Sequence, residues 1–137
     1  MPLTRTMRVR DARPEDLETV QSIAAENGRV GYQWPWGGAW GAIAILDEKA
    51  VAFCAGRDVP LGIFLEDIWA VPGPDGLRGL AAIAEWTEET AKTLARELGH
   101  VVNVGGAVLF DNPKHRAALI GRGYAPYAEV LAKRVGP

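Results

Sequence analysis

Hydrophobic and polar positions along the chain fall into segments with two different periods. Short apolar runs, several of which alternate with polar residues, predict strands over 6–12, 39–46, 50–57, 62–71, 100–110 and 124–135. Apolar residues at helical spacing predict helices over 13–28, 78–98 and 112–123. Gly28 and Gly99 are expected to end the first two helices. The tryptophan-rich segment 29–41 contains several Gly residues and a Pro and is expected to be a loop.

The order of these elements predicts an α/β protein. The sheet is expected to be mixed, mostly antiparallel and twisted, with helices flanking it. A length of 137 residues predicts one domain over 1–137. The chain is too short for a doubly wound dinucleotide fold, and no G-x-G-x-x-G follows the first strand.

Charge and composition exclude several partners. The formal net charge is −2, so no overall basic field favours nucleic acid or an anionic membrane. No apolar run approaches the roughly 20 residues that a membrane span needs. The first 16 residues lack the hydrophobic core of a signal peptide, which predicts a cytoplasmic protein.

Residue types also limit the chemistry. Ser22 is the only serine and lies in the first predicted helix, which argues against a serine nucleophile. Cys54 lies within an apolar strand and is expected to be a buried structural residue. His100 and His115 do not have metal-ligand spacing, so no metal site is predicted.

The junction between the strand at 62–71 and the following helix is the strongest candidate for a binding site. The strand ends at Pro72, and a glycine-rich turn opens the helix. Free backbone N–H groups at a helix N-terminus can bind an anion, and glycines allow a phosphate to approach. The alternative is a connection that needs glycine only for its shape.

This junction, together with the order of elements, resembles the GNAT superfamily of acetyl-CoA-dependent N-acetyltransferases over nearly the whole chain. "EDIWAVP" at 66–72 is similar to the family's fourth strand. "GLRGLA" at 76–81 is similar to its [QR]-x-x-G-x-[GA] cofactor motif, with Gly76 replacing the first residue. The resemblance implies a GNAT-like fold and acetyl-CoA as cofactor. It implies cofactor binding by Ile68, Trp69 and Ala70 beside the pantetheine, and by the amides of Leu77, Arg78, Gly79 and Ala81 at the pyrophosphate.

The segment 112–124 resembles the end of the same family. Asn112, Gly123 and Tyr124 match its pattern, and Asn112 joins the implied cofactor-binding set as well as being a natural helix N-cap before Pro113. The family's usual tyrosine acid is replaced by Leu119, which cannot donate a proton. With His115, which we expect to be structural, this variant resembles small GNAT-like proteins of tailed phages, some of which are virion components.

Two functions follow from the resemblance. As an N-acetyltransferase, the protein would use Glu66 as general base, with Asp67 on the opposite strand face as the second candidate. Amides near Trp69 or Ala70 would polarise the thioester, and the tryptophan-rich loop would shape the pocket for a small-molecule or peptide amine. The alternative is a catalytically degenerate structural protein, with virion or other protein partners and a location within a virion. Either protein could form a homo-oligomer.

Overall fold

A computed structural model describes residues 5–34, 40–59, 62–106, 113–126, 133 and 135–137. The chain divides into two compact units, Met1–Ala107 and Val108–Pro137. The first unit contains the sheet and its two long helices, and the second contains one short helix. The expectation of a single domain over 1–137 stays a prediction.

The elements of the first unit alternate as the sequence pattern predicts. The strands are β1 (Met7–Asp11), β2 (Trp40–Leu46), β3 (Lys49–Val59), β4 (Gly62–Ala70) and β5 (Asn103–Gly106). The helices are α1 (Leu17–Glu26), which a 3-10 turn at Pro14–Asp16 precedes, and α2 (Pro74–Leu98). In the second unit, α3 spans Pro113–Gly121.

The sheet has the order β1-β2-β3-β4-β5. Neighbouring strands from β1 to β4 are antiparallel, and β5 is parallel to β4. This confirms the predicted mixed, mostly antiparallel sheet with flanking helices. In the strand predicted over 124–135, residues 124–126 are not in a strand, and most of the rest lies outside the described residues.

The sheet is covered on both faces, and each face has its own apolar cluster. The α2 side includes Ile83 and Ala91 of the helix packed with β2, β3 and β4. The α1 side includes Val20 and Ile23 packed with Phe53, which is fully buried. Cys54 is also fully buried, and this burial raises the pKa of its thiol to about 12. The thiol therefore stays protonated at neutral pH, in agreement with the predicted structural role.

Helix α2 begins four residues earlier than the sequence pattern predicts. Pro74 occupies its first position after Gly73, whose φ of 95° is readily adopted only by glycine. Gly73 precedes the helix as expected, but the expectation of a loop over 74–76 is wrong, because proline at the first helical position already has the required φ. The helix ends as predicted at Gly99, which has a left-handed φ of 72°.

An ion pair joins β1 to the start of α1. Both carboxylate oxygens of Asp16 accept hydrogen bonds of 2.8 Å from the Arg10 guanidinium, and the backbone N–H of Arg13 also donates to Asp16. The Arg10 side chain is 29% exposed and the Asp16 side chain is 15% exposed. The bond from Arg10 is the main reason that the pKa of Asp16 is lowered.

We expect Asp16→Asn to lower the free energy of unfolding at pH 7 by about 2 kcal/mol, the usual loss for a hydrogen bond to a charged group. Because the folded-state pKa lies below the unfolded one, this stabilisation is present above about pH 4 and is lost as the pH falls through the folded value. Urea unfolding at pH 7 and pH 3 measures the difference between wild type and variant. A difference that does not shrink at pH 3, or that exposed Glu18→Gln reproduces, would contradict this assignment.

Candidate active site at the end of strand β4

A β-bulge interrupts β4 at Glu66. Gly56 of β3 pairs with Leu65, whereas the preceding Ala55 pairs with Asp67, so Glu66 is the extra residue on β4. Leu65 and Ile68 consequently both face α2, although three positions separate them. A bulge bends its strand and changes the direction of the side chains that follow.

Over the described residues, the pairing of β4 with β5 extends to the position just before this bulge. The parallel register runs from Gly62 with Asn103 to Leu65 with Gly106. Beyond Leu65, no described residue of β5 pairs with β4, while β3 continues to pair with it as far as Ala70. Over the described residues, the last five positions of β4 therefore have a neighbouring strand on one side only.

Glu66, the predicted general base, is within reach of solvent. Its side chain is 35% exposed, and its Oε1 lies 3.1 Å from Nε of Arg57 on β3. Gly56, next to Arg57, faces Trp40 on the α2 side, so Arg57 lies on the α1 side. The contact with Arg57 therefore places the Glu66 carboxylate on the α1 side.

Asp67, the second predicted base, lies on the same side. Its Oδ2 accepts a hydrogen bond of 2.8 Å from the hydroxyl of Tyr32. The Tyr32 ring packs edge-on against Trp69 at 4.4 Å and against Phe53 at 6.3 Å, both in the α1-side cluster. The prediction that Asp67 and Glu66 lie on opposite faces is therefore wrong, because the bulge shifts the alternation by one residue.

Sequence reasoning missed Tyr32 as a site residue. It precedes β2 in the predicted loop, and the side chain of Gln21 donates a bond of 2.9 Å to its carbonyl. The only available signal was that Tyr32 is the sole tyrosine before residue 124. A phenol that anchors a strand carboxylate 35 positions away cannot be recognised from local spacing.

The two described tryptophans of the tryptophan-rich segment, Trp34 and Trp40, lie in different apolar clusters. Trp34 is buried on the α1 side, with its ring 5.5 Å from that of Phe53. Trp40 belongs to β2 and packs on the α2 side. Residues 35–39, including Trp36, lie outside the described residues. Trp34 and Trp40 therefore pack on opposite faces of the sheet, and the expectation that the loop shapes an acceptor pocket stays a prediction.

The residues predicted beside the pantetheine lie on the part of β4 beyond the bulge. Ile68 and Ala70 contact the α2-side cluster, and Trp69 contacts the α1-side cluster. The carbonyl of Ala70 accepts a bond of 2.9 Å from the Asn27 side chain, which also binds Ile23 in α1. The end of β4 is therefore fixed to the end of α1.

The start of α2 offers free donors, but at other positions than predicted. The N–H of Leu77 donates to Gly73, and an α-helix that begins at Pro74 engages the amides of Arg78, Gly79 and Ala81 in its own ladder. These amides are therefore engaged within the helix, and their predicted role at the pyrophosphate stays a prediction. The amides of Asp75 and Gly76 are the ones left without an acceptor inside the helix.

The glycines of this junction fit the helix against the sheet. A Cβ at Gly76 would overlap the carbonyl oxygen of Val71, and a Cβ at Gly79 would lie 2.8 Å from both Ala52 and Val51. Both glycines are buried. Their first physical role is thus to let α2 approach the strands closely.

Two arginines surround the start of α2. Arg5 donates two bonds, of 2.8 and 3.2 Å, to the carboxylate of Asp75, and it also binds Asp47 at 2.9 Å. The hydrogen bond from Arg5 lowers the pKa of Asp75. Arg78 lies 3.9 Å from Asp75 and is 60% exposed, so its guanidinium can reach a ligand.

The last helix, α3, ends at the sequence that resembles the family's C-terminal motif. Gly123 has a φ of 95°, and Tyr124 and Gly123 donate back to Leu119 and Ile120. These bonds form a Schellman motif, which gives the Gly-Tyr pair a structural role. Asn112 and the side chain of His115 lie outside the described residues, so their predicted roles stay predictions.

Among the described residues, no cluster of His, Cys, Asp and Glu side chains is arranged to hold a metal ion. No helix in this part of the chain is long and apolar enough to cross a membrane.

Comparison with known proteins identifies the fold. No family model and no curated protein matches the chain. A transcriptional regulator from Bacillus halodurans C-125 has a TM-score of 0.74 and 15% identity, over 95% of this chain and 100% of that one. The aminoglycoside N-acetyltransferase AAC(6')-Iy in complex with CoA has a TM-score of 0.68 and 15% identity, over 98% of both chains. The ribosomal-protein-S18-alanine N-acetyltransferase from Escherichia coli has a TM-score of 0.68 and 17% identity. The match covers 90% of this chain and 80% of that one.

These similarities show that the chain has the fold of GNAT acetyltransferases, as its sequence resemblance implied. At 15–17% identity, these similarities establish the fold but not the reaction.

Proposed function

We propose that the protein is an acetyl-CoA-dependent N-acetyltransferase that acts on an amine of a small molecule or a peptide. The observation that carries the proposal is the bulge at Glu66. It brings the two carboxylates, Glu66 and Asp67, to one face of the strand. AAC(6')-Iy, which has this fold, was solved with CoA, and this supports the same cofactor here.

The residues around the end of β4 fit acetyl-CoA. The pantetheine arm contains amides, which can pair with a strand edge such as Ile68–Ala70. The pyrophosphate needs N–H donors and positive charge, which the amides of Asp75 and Gly76 and the guanidinium of Arg78 supply. The Asp75 carboxylate would repel a phosphate, but Arg5 neutralises it through two hydrogen bonds.

When bound, acetyl-CoA supplies an acetyl thioester. The Glu66 carboxylate takes a proton from the acceptor nitrogen as the new N–C bond forms, directly or through water. As the thioester C–S bond broke, the Glu66 carboxylic acid would return that proton through water to the leaving thiolate. This route moves one proton and needs no phenol at position 119.

The environment of Glu66 suits a base that exchanges protons. Arg57 contacts its Oε1, which would leave Oε2 for a substrate or water. The ion pair is partly exposed and therefore weak enough to open during turnover. A strand amide at Trp69 or Ala70 would polarise the thioester oxygen.

Asp67, Tyr32 and Trp69 would form the acceptor side of the site. The Tyr32 hydroxyl fixes the Asp67 carboxylate, and the rings of Tyr32 and Trp69 pack at right angles beside it. A carboxylate can accept an N–H bond from the neutral acceptor amine. Asp67 would therefore hold the acceptor amine while Glu66 removes its proton.

The non-catalytic alternative rests on Leu119, which cannot replace the family's tyrosine acid. A structural or virion protein would need neither the cofactor nor a base. Cofactor binding separates the two functions, because only an enzyme has to retain it.

We expect acetyl-CoA to bind with saturation and to change tryptophan fluorescence, since Trp69 lies on the proposed cofactor strand. Calorimetry and fluorescence titration of the full chain measure this binding. Arg78→Ala should weaken it by roughly tenfold, the contribution of one charge-assisted phosphate contact. Arg96→Ala, the same change at the other end of α2, is the matched control and should bind as wild type does.

The absence of heat, fluorescence change and thermal shift at millimolar acetyl-CoA would contradict the proposed function and favour the non-catalytic protein. Equal effects of Arg78→Ala and Arg96→Ala would show instead that general charge, and not the start of α2, determines the affinity.

A further inference from the structure

A separate cavity lies between the sheet and the C-terminal half of α2. It has a volume of about 530 Å³, within the range of small-molecule sites. Ile63, at the start of β4, lines it. Ile63 and Ala70 are seven positions apart, roughly 20 Å along an extended strand. The cavity is therefore at the opposite end of β4 from Ala70, and it lies on the other face of the sheet from Glu66, which is three positions from Ile63.

Two indoles form the aromatic wall of this cavity. The rings of Trp40 on β2 and Trp86 on α2 have centroids 6.1 Å apart and an interplanar angle of 54°. Gly56 makes this arrangement possible, because a Cβ there would lie 2.7 Å from the Trp40 ring and 2.8 Å from the Phe64 carbonyl. Both indoles are only partly buried, so their faces are available to a ligand.

Three carboxylates complete the lining. Asp11, Asp58 and Glu97 come from β1, β3 and α2, and all three are exposed. Over the described part of the chain, no cationic side chain forms an ion pair with any of them. Two arginines contact lining residues without pairing with these carboxylates: Arg10 donates a bond of 2.9 Å to the backbone carbonyl of Asp11, and Arg96 makes a long bond of 3.4 Å to the hydroxyl of Thr93. The lining is therefore net negative.

We propose that this cavity binds an organic ammonium ion, such as a diamine with an apolar carbon chain. Indole faces attract cations, and the three carboxylates complement the positive charge. The threonine hydroxyls at the rim can accept N–H bonds from an ammonium group. An anion would be repelled, and a neutral apolar ligand would gain nothing from the carboxylates.

This site is distinct from the proposed acceptor site and does not depend on the proposed function. Glu66 and Asp67 lie on the α1 side of the sheet, whereas the cavity lies on the α2 side. A bound amine here would be an accessory ligand and not the group that receives acetyl.

The test is calorimetric titration of the full chain with 1,5-diaminopentane, with pentane-1,5-diol as the uncharged control of the same length. We expect the diamine to bind and the diol to bind at least tenfold more weakly. Trp86→Leu should weaken diamine binding at least tenfold, with a thermal melt to confirm folding. Should Trp86→Leu fail to fold, the double variant Asp58→Asn/Glu97→Gln replaces it. This variant removes two exposed carboxylates of the cavity and should also weaken diamine binding.

The double variant has a matched control. Glu18→Gln/Glu85→Gln removes two exposed carboxylates outside the cavity and gives the same net charge. Only the cavity pair should weaken diamine binding. Equal losses in both pairs, equal binding of diamine and diol, or no diamine binding at tens of millimolar would overturn the proposal. Binding lost in Asp67→Asn but kept in both cavity variants would place the amine in the acceptor site and also overturn it.

Discussion

Replacing Glu66 by glutamine is expected to lower kcat by about 10²–10⁴ while leaving the affinity for acetyl-CoA nearly unchanged. Loss of a general base commonly has an effect of this size. Glutamine keeps the shape of the side chain, so the bulge and the strand edge should be retained. A thiol-release assay over a panel of amines gives kcat and KM, and calorimetry gives the Kd for acetyl-CoA.

The companion variant Asp67→Asn separates the two carboxylates. Since Asp67 is proposed to hold the acceptor, this change should act mainly on KM for the amine. Glu85 is an exposed glutamate on α2. Glu85→Gln is the matched control and should leave kcat and KM unchanged. If Glu66→Gln turns over as fast as wild type in an active preparation, Glu66 is not the base.

The second large effect is expected at Gly76, where alanine should lower the free energy of unfolding by about 3 kcal/mol. The new Cβ would overlap the carbonyl oxygen of Val71, which belongs to the backbone and cannot rotate away. Overpacking of this kind costs about 1–3 kcal/mol, and a backbone contact favours the upper end. For a chain of this size the melting temperature should fall by roughly 10 °C. Calorimetric or circular-dichroism melts measure it.

Gly121 provides the matched control for this substitution. It is also a helical glycine, at the end of α3, but a Cβ there would meet no atom within 4 Å. Gly121→Ala should therefore be neutral or slightly stabilising, by up to about 1 kcal/mol, because alanine restricts the unfolded chain. Equal melting temperatures for Gly76→Ala and wild type would show that α2 can shift away from β4 at little cost.

The role of the glycines changes the interpretation of the cofactor motif. In this chain, Gly76 and Gly79 are explained by the close packing of α2 on β3 and on the backbone after β4. Any anion site depends instead on the free amides at Asp75 and Gly76 and on the charge of Arg78. A motif match and a packing requirement thus select the same residue type for different reasons.

Much of the fold is determined by local sequence. Alternation of apolar residues predicts β1 to β4 within a few positions, and helical spacing with Gly99 predicts where α2 ends. Asp47 and Glu48, which connect β2 to β3, adopt positive φ without glycine. The Asp47 carboxylate fixes this turn by accepting bonds from the Thr6 backbone and Arg5, which are remote in sequence.

The sequence by itself determined the elements, their order, the buried Cys54 and the region in which a site would lie. Tertiary structure alone decided how that site is built. The bulge at Glu66 depends on the register between β3 and β4, and a shift of one residue brings Asp67 to the face of Glu66. Tyr32 reaches Asp67 only because α1 and the residues after it pack on that face. Both features arise from contacts between distant segments, and no periodicity within a single segment encodes them.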